Sequence, residues 1–219
     1  MAGLFIAGTG TDVGKTYVTA TLIQTLISHG RTVEALKPVV SGFDPAAPEA
    51  SDPAVLLAAL GRAATAEALA KVSPWRFREP LSPPIAARRE GKVIDADEVA
   101  DLCRDRVRQA HDRLLVVESA GGIMSPLSEK TTMLDLAAAL ALPVVLVAGS
   151  YLGTVSHTLT ALAAMTARKI TPLAVVVSES EGAPPLNETA EALRAFIADA
   201  PVLVVPRGAG APIQLLVLL

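Results

Sequence analysis

A short apolar run, Leu4 to Gly8, leads into the loop GTGTDVGKTY (Gly8 to Tyr17) and then into a helix-forming stretch that Gly30 closes. Strand, glycine loop and helix in that order are the setting of a phosphate-binding loop, in which backbone N–H groups and a helix N-terminus form a concave donor site for phosphate oxygens. The common pattern, G-x-x-x-x-G-K-[ST], leaves four residues between its glycines. Counting back from Gly14-Lys15-Thr16, its first glycine should fall at position 9, where this chain has Thr9; glycines stand at 8 and 10 instead. A dinucleotide fingerprint, G-x-G-x-x-G, fits worse. It needs glycine where Val13 stands, leaves Lys15 and Thr16 without a task, and finds its acid, Glu34, inside the next strand and not at its end. An ordinary glycine turn leaves the flanking strand and helix unexplained. The stretch therefore reads as a variant P-loop, with Lys15 reaching the β- and γ-phosphates and the Thr16 hydroxyl a ligand for Mg²⁺.

The remainder of the 219 residues alternates in the same way. TVEALKPVV (32–40), RLLVVES (113–119), PVVLVAG (143–149), PLAVVVS (172–178) and PVLVVP (201–206) are continuous apolar strands of the parallel type. An amphipathic helix is expected over 95–111, with an acidic start and a basic end, and further helices at 132–141, 154–168 and 187–199. Residues 41–92 are rich in Pro and Ala and carry short helices without clear bounds. The expected architecture is one doubly wound α/β domain over 1–219, a mostly parallel sheet flanked by helices, P-loop NTPase-like. With 51% hydrophobic residues and only 3% aromatic, its core must be aliphatic.

A net charge of −3 gives no case for nucleic acid or an acidic membrane surface. The opening MAGLFIAG lacks a basic n-region, and the greasiest stretch, 133–153, is interrupted by Asp135 and Pro143. Cys103 is the single cysteine. These features lead to the expectation of a cytoplasmic protein with no membrane span and no disulfide. Cys103 itself lies within an amphipathic helix and reads as a quiet core thiol, while His29 and His111 end helices as solvated caps.

Two charged positions stand at strand ends. Lys37 closes TVEALK just before Pro38, and Glu118 closes LLVVE before Gly121-Gly122. The carboxyl edge of a parallel sheet is where ligands bind, so Lys15 and Lys37, taken as ends of adjacent strands, are expected side by side. Lys37 either offsets charge on a transferring phosphoryl group or is a strand-end lysine whose side chain leaves the sheet without supporting the core. Glu118 is at the place of a second P-loop carboxylate. Asp52, taken alone, reads as the N-cap of a helix beginning at Pro53.

Together GTGTDVGKT, KPVVSG (37–42), EPLSPPIAARREG (79–91), VVESAGGIMSPL (116–127) and LGTVSH (152–157), in this order, closely resemble the dethiobiotin synthetase family along almost the whole chain. That family shares the six-residue glycine spacing. Cobyrinate amidases share the loop but carry a further glutaminase domain, and partition-type ATPases, the alternative reading as a nucleotide-switched regulator, carry a signature lysine where Gly10 stands here.

The resemblance implies an ATP-dependent ring closure of 7,8-diaminopelargonate with CO₂, through a carbamate and a carbamic-phosphoric anhydride, in a homodimer using Mg²⁺. It implies ATP contacts at Gly10, Thr11, Asp12, Val13, Gly14, Lys15, Thr16 and Tyr17, then at Asp52, Glu118, Ser119, Ala120 and Gly121. Glu179, Ser180 and Pro206 fall at the base-binding positions, although an Asn-Asp is usual where Glu179-Ser180 stands. Metal ligation falls to Thr16, Asp52 and Glu118, catalysis to Lys15 and Lys37. Substrate contacts fall to Asp12, Lys37 and Ser41, and to Leu152 and Gly153 acting across the dimer.

Overall fold

Alternation along the strands decides the layering of this chain, whose computed structural model describes residues 2–219. In order the elements are β1 (Gly3–Gly8), α1 (Lys15–Ser28), β2 (Val33–Leu36), β3 (Val39–Ser41), a 3-10 turn (Pro48–Ala50), α2 (Asp52–Ala59), α3 (Ala66–Val72), β4 (Trp75–Phe77), α4 (Pro83–Arg89) and α5 (Ala96–Gln109). They continue with β5 (Leu114–Glu118), α6 (Met133–Leu140), β6 (Val144–Gly149), α7 (Thr154–Ala167), β7 (Ala174–Ser178), α8 (Leu186–Arg194), β8 (Val202–Val205) and α9 (Ile213–Val217).

Leu4 and Ile6 of β1 join one core with Leu114 and Val116 of β5, Val145 and Val147 of β6, and Val176 of β7. Their neighbours Phe5, Leu115, Val117, Leu146 and Val177 join the other. A sheet apolar on both faces must be covered on both. On the first face α1, α2, α3 and α9 do so, through Leu22, Leu26, Leu56, Leu69 and Leu215. The second face is covered by α4 to α8, through Ala86, Val99, Leu134, Met165 and Leu193. The result is the doubly wound sheet expected from the sequence, six parallel strands in the order β2-β5-β1-β6-β7-β8.

That order corrects one expectation. β1 and β2 are not adjacent; β5 lies between them, so Lys15 and Lys37 are separated by the strand that carries Glu118. The run TVEALKPVV is also not one strand. Pro38 has no N–H to donate, and the ladder to β5 ends at Leu36. Lys37 N–H turns instead to the Val72 carbonyl (2.9 Å), and the Pro38 carbonyl accepts from Trp75 N–H (3.1 Å). From there β3 pairs in parallel with β4 as a separate two-stranded sheet over the edge of the main one.

The helix expected over 95–111 begins on Asp95, whose side chain accepts from Asp97 N–H (2.8 Å), and buries Val99, Ala100 and Cys103. Cys103 is fully buried, and burial pushes its thiol up to about 12. The helix expected over 187–199 spans only Leu186–Arg194. No helix among the described residues is long and apolar enough to cross a membrane.

The apolar tail is ordered against the first core. The Tyr17 hydroxyl donates to the Ala209 carbonyl (2.8 Å), and Leu215 of α9 is fully buried. Deleting a fully buried leucine side chain typically costs a few kcal/mol. Leu215→Ala should therefore lower the free energy of unfolding by about 3 kcal/mol in a urea titration. A loss below about 0.5 kcal/mol would show that the tail lies outside the cooperative unit.

Candidate active site

Steric demands of the glycines shape the loop. A Cβ on Gly8 would lie 2.7 Å from Lys15 Cδ, so the bare backbone there gives the lysine stem its channel. Lys15 folds back along it and donates to the Gly10 carbonyl (2.7 Å). Gly14 holds φ at +90°, a conformation other residues adopt at a cost, and a Cβ there would collide with Ser178 Oγ. The extra residue lies in the first half of the loop, which rests on the segment after β5. A Cβ on Gly122 would sit 3.0 Å from the Thr9 carbonyl and 3.2 Å from Gly10, and Ile123 N–H donates to the Gly8 carbonyl (2.7 Å).

Beside the loop four segments converge on one charge cluster. Glu118, at the end of β5 and 0% exposed, accepts from the Lys37 ammonium (2.6 Å) and the Thr16 hydroxyl (2.7 Å), both at Oε1. The same ammonium lies 2.6 Å from Asp52 Oδ2. Asp52 is the first residue of α2, not its cap; Ser51 holds the cap position, and the Asp52 carboxylate is turned to Lys37 instead.

Burial alone would lower the Lys37 amine, but Glu118 and Asp52 outweigh it and hold the group above its ordinary value. Burial likewise works to raise the Asp52 carboxyl, and the Lys37 ammonium carries it below the usual range. Lys15 has no such carboxylate in contact. Its burial, with the charge of Lys37 beside it, lowers the amine to about 8. Lys37 is thus not a lysine merely leaving the sheet edge: it is 3% exposed and supports the packing of three segments.

Lys37, Asp52 and Thr16 of the cluster line a cavity of about 650 Å³, while Glu118 is buried and does not line it. Thr11, Asp12, Gly14, Lys15 and Thr16 of the loop line it, with Lys37, Ser41, Asp52, Ala120 and Gly121. Asp12 is exposed and holds a left-handed φ of +57°, presenting the loop crest to the cavity. Ser41 Oγ is buried without a hydrogen-bond partner. Pro80 to Ser82 and Pro83, the first residue of α4, line it as well, as does Ser125, whose Oγ accepts from Gly122 N–H (2.8 Å). Sequence reasoning missed these wall residues as individuals. Their signal was present in the motifs EPLSPP and AGGIMSPL, whose prolines and glycines form turns beside the sheet edge.

Other expected residues lie elsewhere. The Val13 side chain is buried in the first core, which leaves only its backbone for a ligand. Gly10 and Ser119 do not line the cavity: Gly10 lies in the loop with its carbonyl on the Lys15 ammonium, and Ser119 N–H donates to the Ile6 carbonyl. Tyr17, Glu179, Ser180 and Pro206 gather at the carboxyl ends of β7 and β8, on the far side of the loop from the cavity. There Glu179 Oε2 accepts from Arg207 N–H (2.8 Å), Ser180 N–H donates to Ser150 Oγ (2.9 Å), and the Pro206 carbonyl lies 3.1 Å from the Tyr17 hydroxyl. Leu152 and Gly153, after β6, do not line the cavity; Leu152 is 92% exposed.

With the geometry in hand, comparison with known proteins gives concordant results. The family described as "AAA domain" matches residues 2–209. ATP-dependent dethiobiotin synthetase BioD of Caulobacter sp. (strain K31) is 51% identical over 208 residues, covering 95% of this chain and 89% of that protein. The enzyme of the same name from Methylobacterium nodulans is 45% identical over 98% of this chain and 97% of its own. Among solved structures, the MinC:MinD cell division complex of Aquifex aeolicus matches 97% of this chain and 88% of that one, with a TM-score of 0.56 at 16% identity. The signal recognition particle receptor FtsY of Elizabethkingia anophelis matches with a TM-score of 0.54, also at 16% identity, over 60% of its length. At such identity these two show the shared fold alone.

Removing one partner of a buried ion pair strands the other. Lys37→Gln should therefore lower stability by on the order of 3 kcal/mol in chemical denaturation, because Glu118 loses its charged partner. A change under about 0.5 kcal/mol, the size expected of a surface substitution, would show that the pair adds nothing net.

Proposed function

The chain belongs to the ATP-dependent dethiobiotin synthetase family, and from that premise we propose that the cavity beside the loop is where it closes the ureido ring of dethiobiotin. One observation carries the assignment of the site: two buried lysines, Lys15 and Lys37, line a single cavity beside the glycine loop. ATP is the phosphoryl donor, and diaminopelargonate and CO₂ are the co-substrates.

One substrate amine adds to CO₂ and loses a proton, giving a carbamate. A carbamate oxygen then takes the γ-phosphoryl group of ATP as ADP leaves. Finally the second amine attacks the carbamoyl carbon, and phosphate departs as the ring closes. Such transfers need positioned positive charge more than covalent help from the protein. Lys15 supplies it to the phosphate chain from the loop. Lys37 stands at the cavity wall, where it offsets the charge shared by carbamate and transferring phosphoryl group. Asp12, exposed on the loop crest, holds the diamine by charge, and Ser41 Oγ gives the carbamate a hydrogen-bond partner.

Mg²⁺ is fitted by the residues present. It takes hard oxygens, from one or two carboxylates, hydroxyls, phosphates and water. Asp52 and Glu118 already hold a cation between them, the Lys37 ammonium, and Glu118 Oε2 is buried without a partner. Thr16, Asp52 and Glu118 are the proposed ligands, and the bound ion supplies neutralisation of the triphosphate. Tyr17, Glu179, Ser180 and Pro206, beyond the loop, are proposed to bound the nucleotide base.

A homodimer is proposed from the loop after β6. Leu152, 92% exposed at a strand's carboxyl end, suits a C₂ contact in which each copy extends the other's cavity.

The test of function is a product assay by mass spectrometry. ATP, diaminopelargonate and bicarbonate together should give dethiobiotin, and ATP turnover should require both co-substrates. Turnover that needs neither would favour a nucleotide-switched ATPase and overturn the reading. Lys37→Gln, assayed below its unfolding temperature, should lose ~10²–10³ in kcat, the usual cost of one preorganised electrostatic group. Dethiobiotin formation within about twofold of wild type would remove Lys37 from the chemistry. For the dimer, sedimentation at micromolar concentration should show two chains per particle; a fully active monomer would rule it out.

A further inference from the structure

The roles just assigned to Lys37, Asp52 and Glu118 compete for the same contacts. The reading gives Lys37 to the reacting groups and the two carboxylates to a metal ion. In the structure the three are bound to one another, the ammonium 2.6 Å from Asp52 Oδ2 and 2.6 Å from Glu118 Oε1, with the lysine side chain 4% exposed. An ammonium held in this way has two of its three N–H donors taken and its charge offset by two carboxylates before any anion enters the cavity. Carboxylates so engaged are, equally, a poor site for a second cation, because like charges brought together in a buried setting repel strongly.

The local balance makes the conflict sharper. Lys15 and Lys37 offset Asp52 and Glu118, so the cluster is already neutral, and a dication added with Lys37 in place would leave it strongly positive. The geometry provides a way out. Glu118 Oε2, which the ammonium does not reach, is a buried acceptor without a partner. Lys37 itself borders the cavity, as does Ser41, whose buried Oγ is another acceptor without a partner.

We propose that Lys37 is the resident counter-cation of the Asp52–Glu118 pair and is exchanged for the divalent ion, so that metal entry and release of the Lys37 ammonium toward the cavity are one event. The inference rests on the proposed reading only in taking this pair as the metal site. Its consequence is an order built into the site. The charge of Lys37 becomes available to a substrate anion once the metal has taken its place, and an anion that draws Lys37 into the cavity helps the metal to bind, by reciprocity of coupling.

The test measures ion binding by nucleotide-free enzyme, using Mn²⁺, which takes the same hard oxygen ligands and can be followed by the resonance signal of the free ion. Lys37→Met removes the charge and keeps most of the stem. It should bind Mn²⁺ at least tenfold more tightly than wild type; equal or weaker binding would overturn the exchange. Because that variant strands Glu118 and risks unfolding, a second measurement uses the unaltered protein. Reductive methylation followed by peptide mass mapping reports the exposure of each lysine amine, with surface Lys71 as reference. Mn²⁺ should raise labelling at Lys37 several-fold relative to Lys71, and labelling that is unchanged or reduced by the ion sinks the proposal. Failure here is separable from failure of the reaction assignment. Unchanged Mn²⁺ behaviour in an enzyme that makes dethiobiotin refutes the exchange alone, whereas exchange in an enzyme that makes none refutes the assigned reaction alone.

Discussion

The contact between the Glu118 carboxylate and the Lys37 ammonium, both removed from water, organises the carboxyl edge of the sheet. Glu118 is 0% exposed, and a charge at that depth persists only when paired and hydrogen-bonded. Its partners come from different places in the chain: Lys37 after β2, Thr16 in the first turn of α1, and, through Lys37, Asp52 at the start of α2. Satisfying this one carboxylate therefore ties the end of β2 to the starts of α1 and α2. The strand order makes it possible. Because β5 runs between β1 and β2, its last residue emerges between the phosphate loop and the lysine.

The longer loop depends on the same edge. Its first half rests on Gly121-Gly122, which follow Glu118 after Ser119 and Ala120 along the chain, and a side chain on Gly122 would meet the backbone of Thr9 and Gly10. The loop's extra residue and the double glycine after β5 are thus two halves of one fit. Gly8 completes it by giving Lys15 room to fold back onto Gly10. Lys15 consequently crosses its own loop, and burial together with the nearby charge of Lys37 lowers its amine to about 8.

Much of this was legible in the sequence because the signals are local. Apolar runs such as PVVLVAG can only be strands buried on both faces, and the start of α5 is written in Asp95 and the acids after it. The strand–glycine loop–helix order of β1 and α1 was legible without any knowledge of the fold. What was not legible depends on contacts distant in sequence. The hydrophobic pattern of TVEALKPVV does not reveal that its second half leaves the main sheet, although Pro38 marks the place. Nor does any local pattern say that β5 inserts between β1 and β2, and without that insertion Lys37 reads as a surface residue. Asp52 shows the same limit: by sequence it suits a helix cap, and only the position of Lys37 explains why its carboxylate turns elsewhere.

The two sides of the loop also impose a direction on whatever binds there. The cavity lies over the ends of β2, β5 and β1, while Tyr17, Glu179, Ser180 and Pro206 cluster over β7 and β8. Between them run Gly14 and the start of α1, whose free N–H groups attract phosphate. A nucleotide with its base on the β7–β8 side must therefore lay its phosphates across this helix start, and its terminal phosphate then arrives at the cavity wall that holds Lys37. Beyond the loop, Glu179 Oε2 accepts from the Arg207 N–H and links the exits of β7 and β8, while Ser180 Oγ accepts from the Ser150 N–H and links the exits of β6 and β7. In the proposed reading, recognition there falls to backbone groups and to the Tyr17 ring, and the strongest constraint on the ligand is its chain of phosphates, held by the loop at one end and met at the other by a lysine that the protein's own carboxylates already hold.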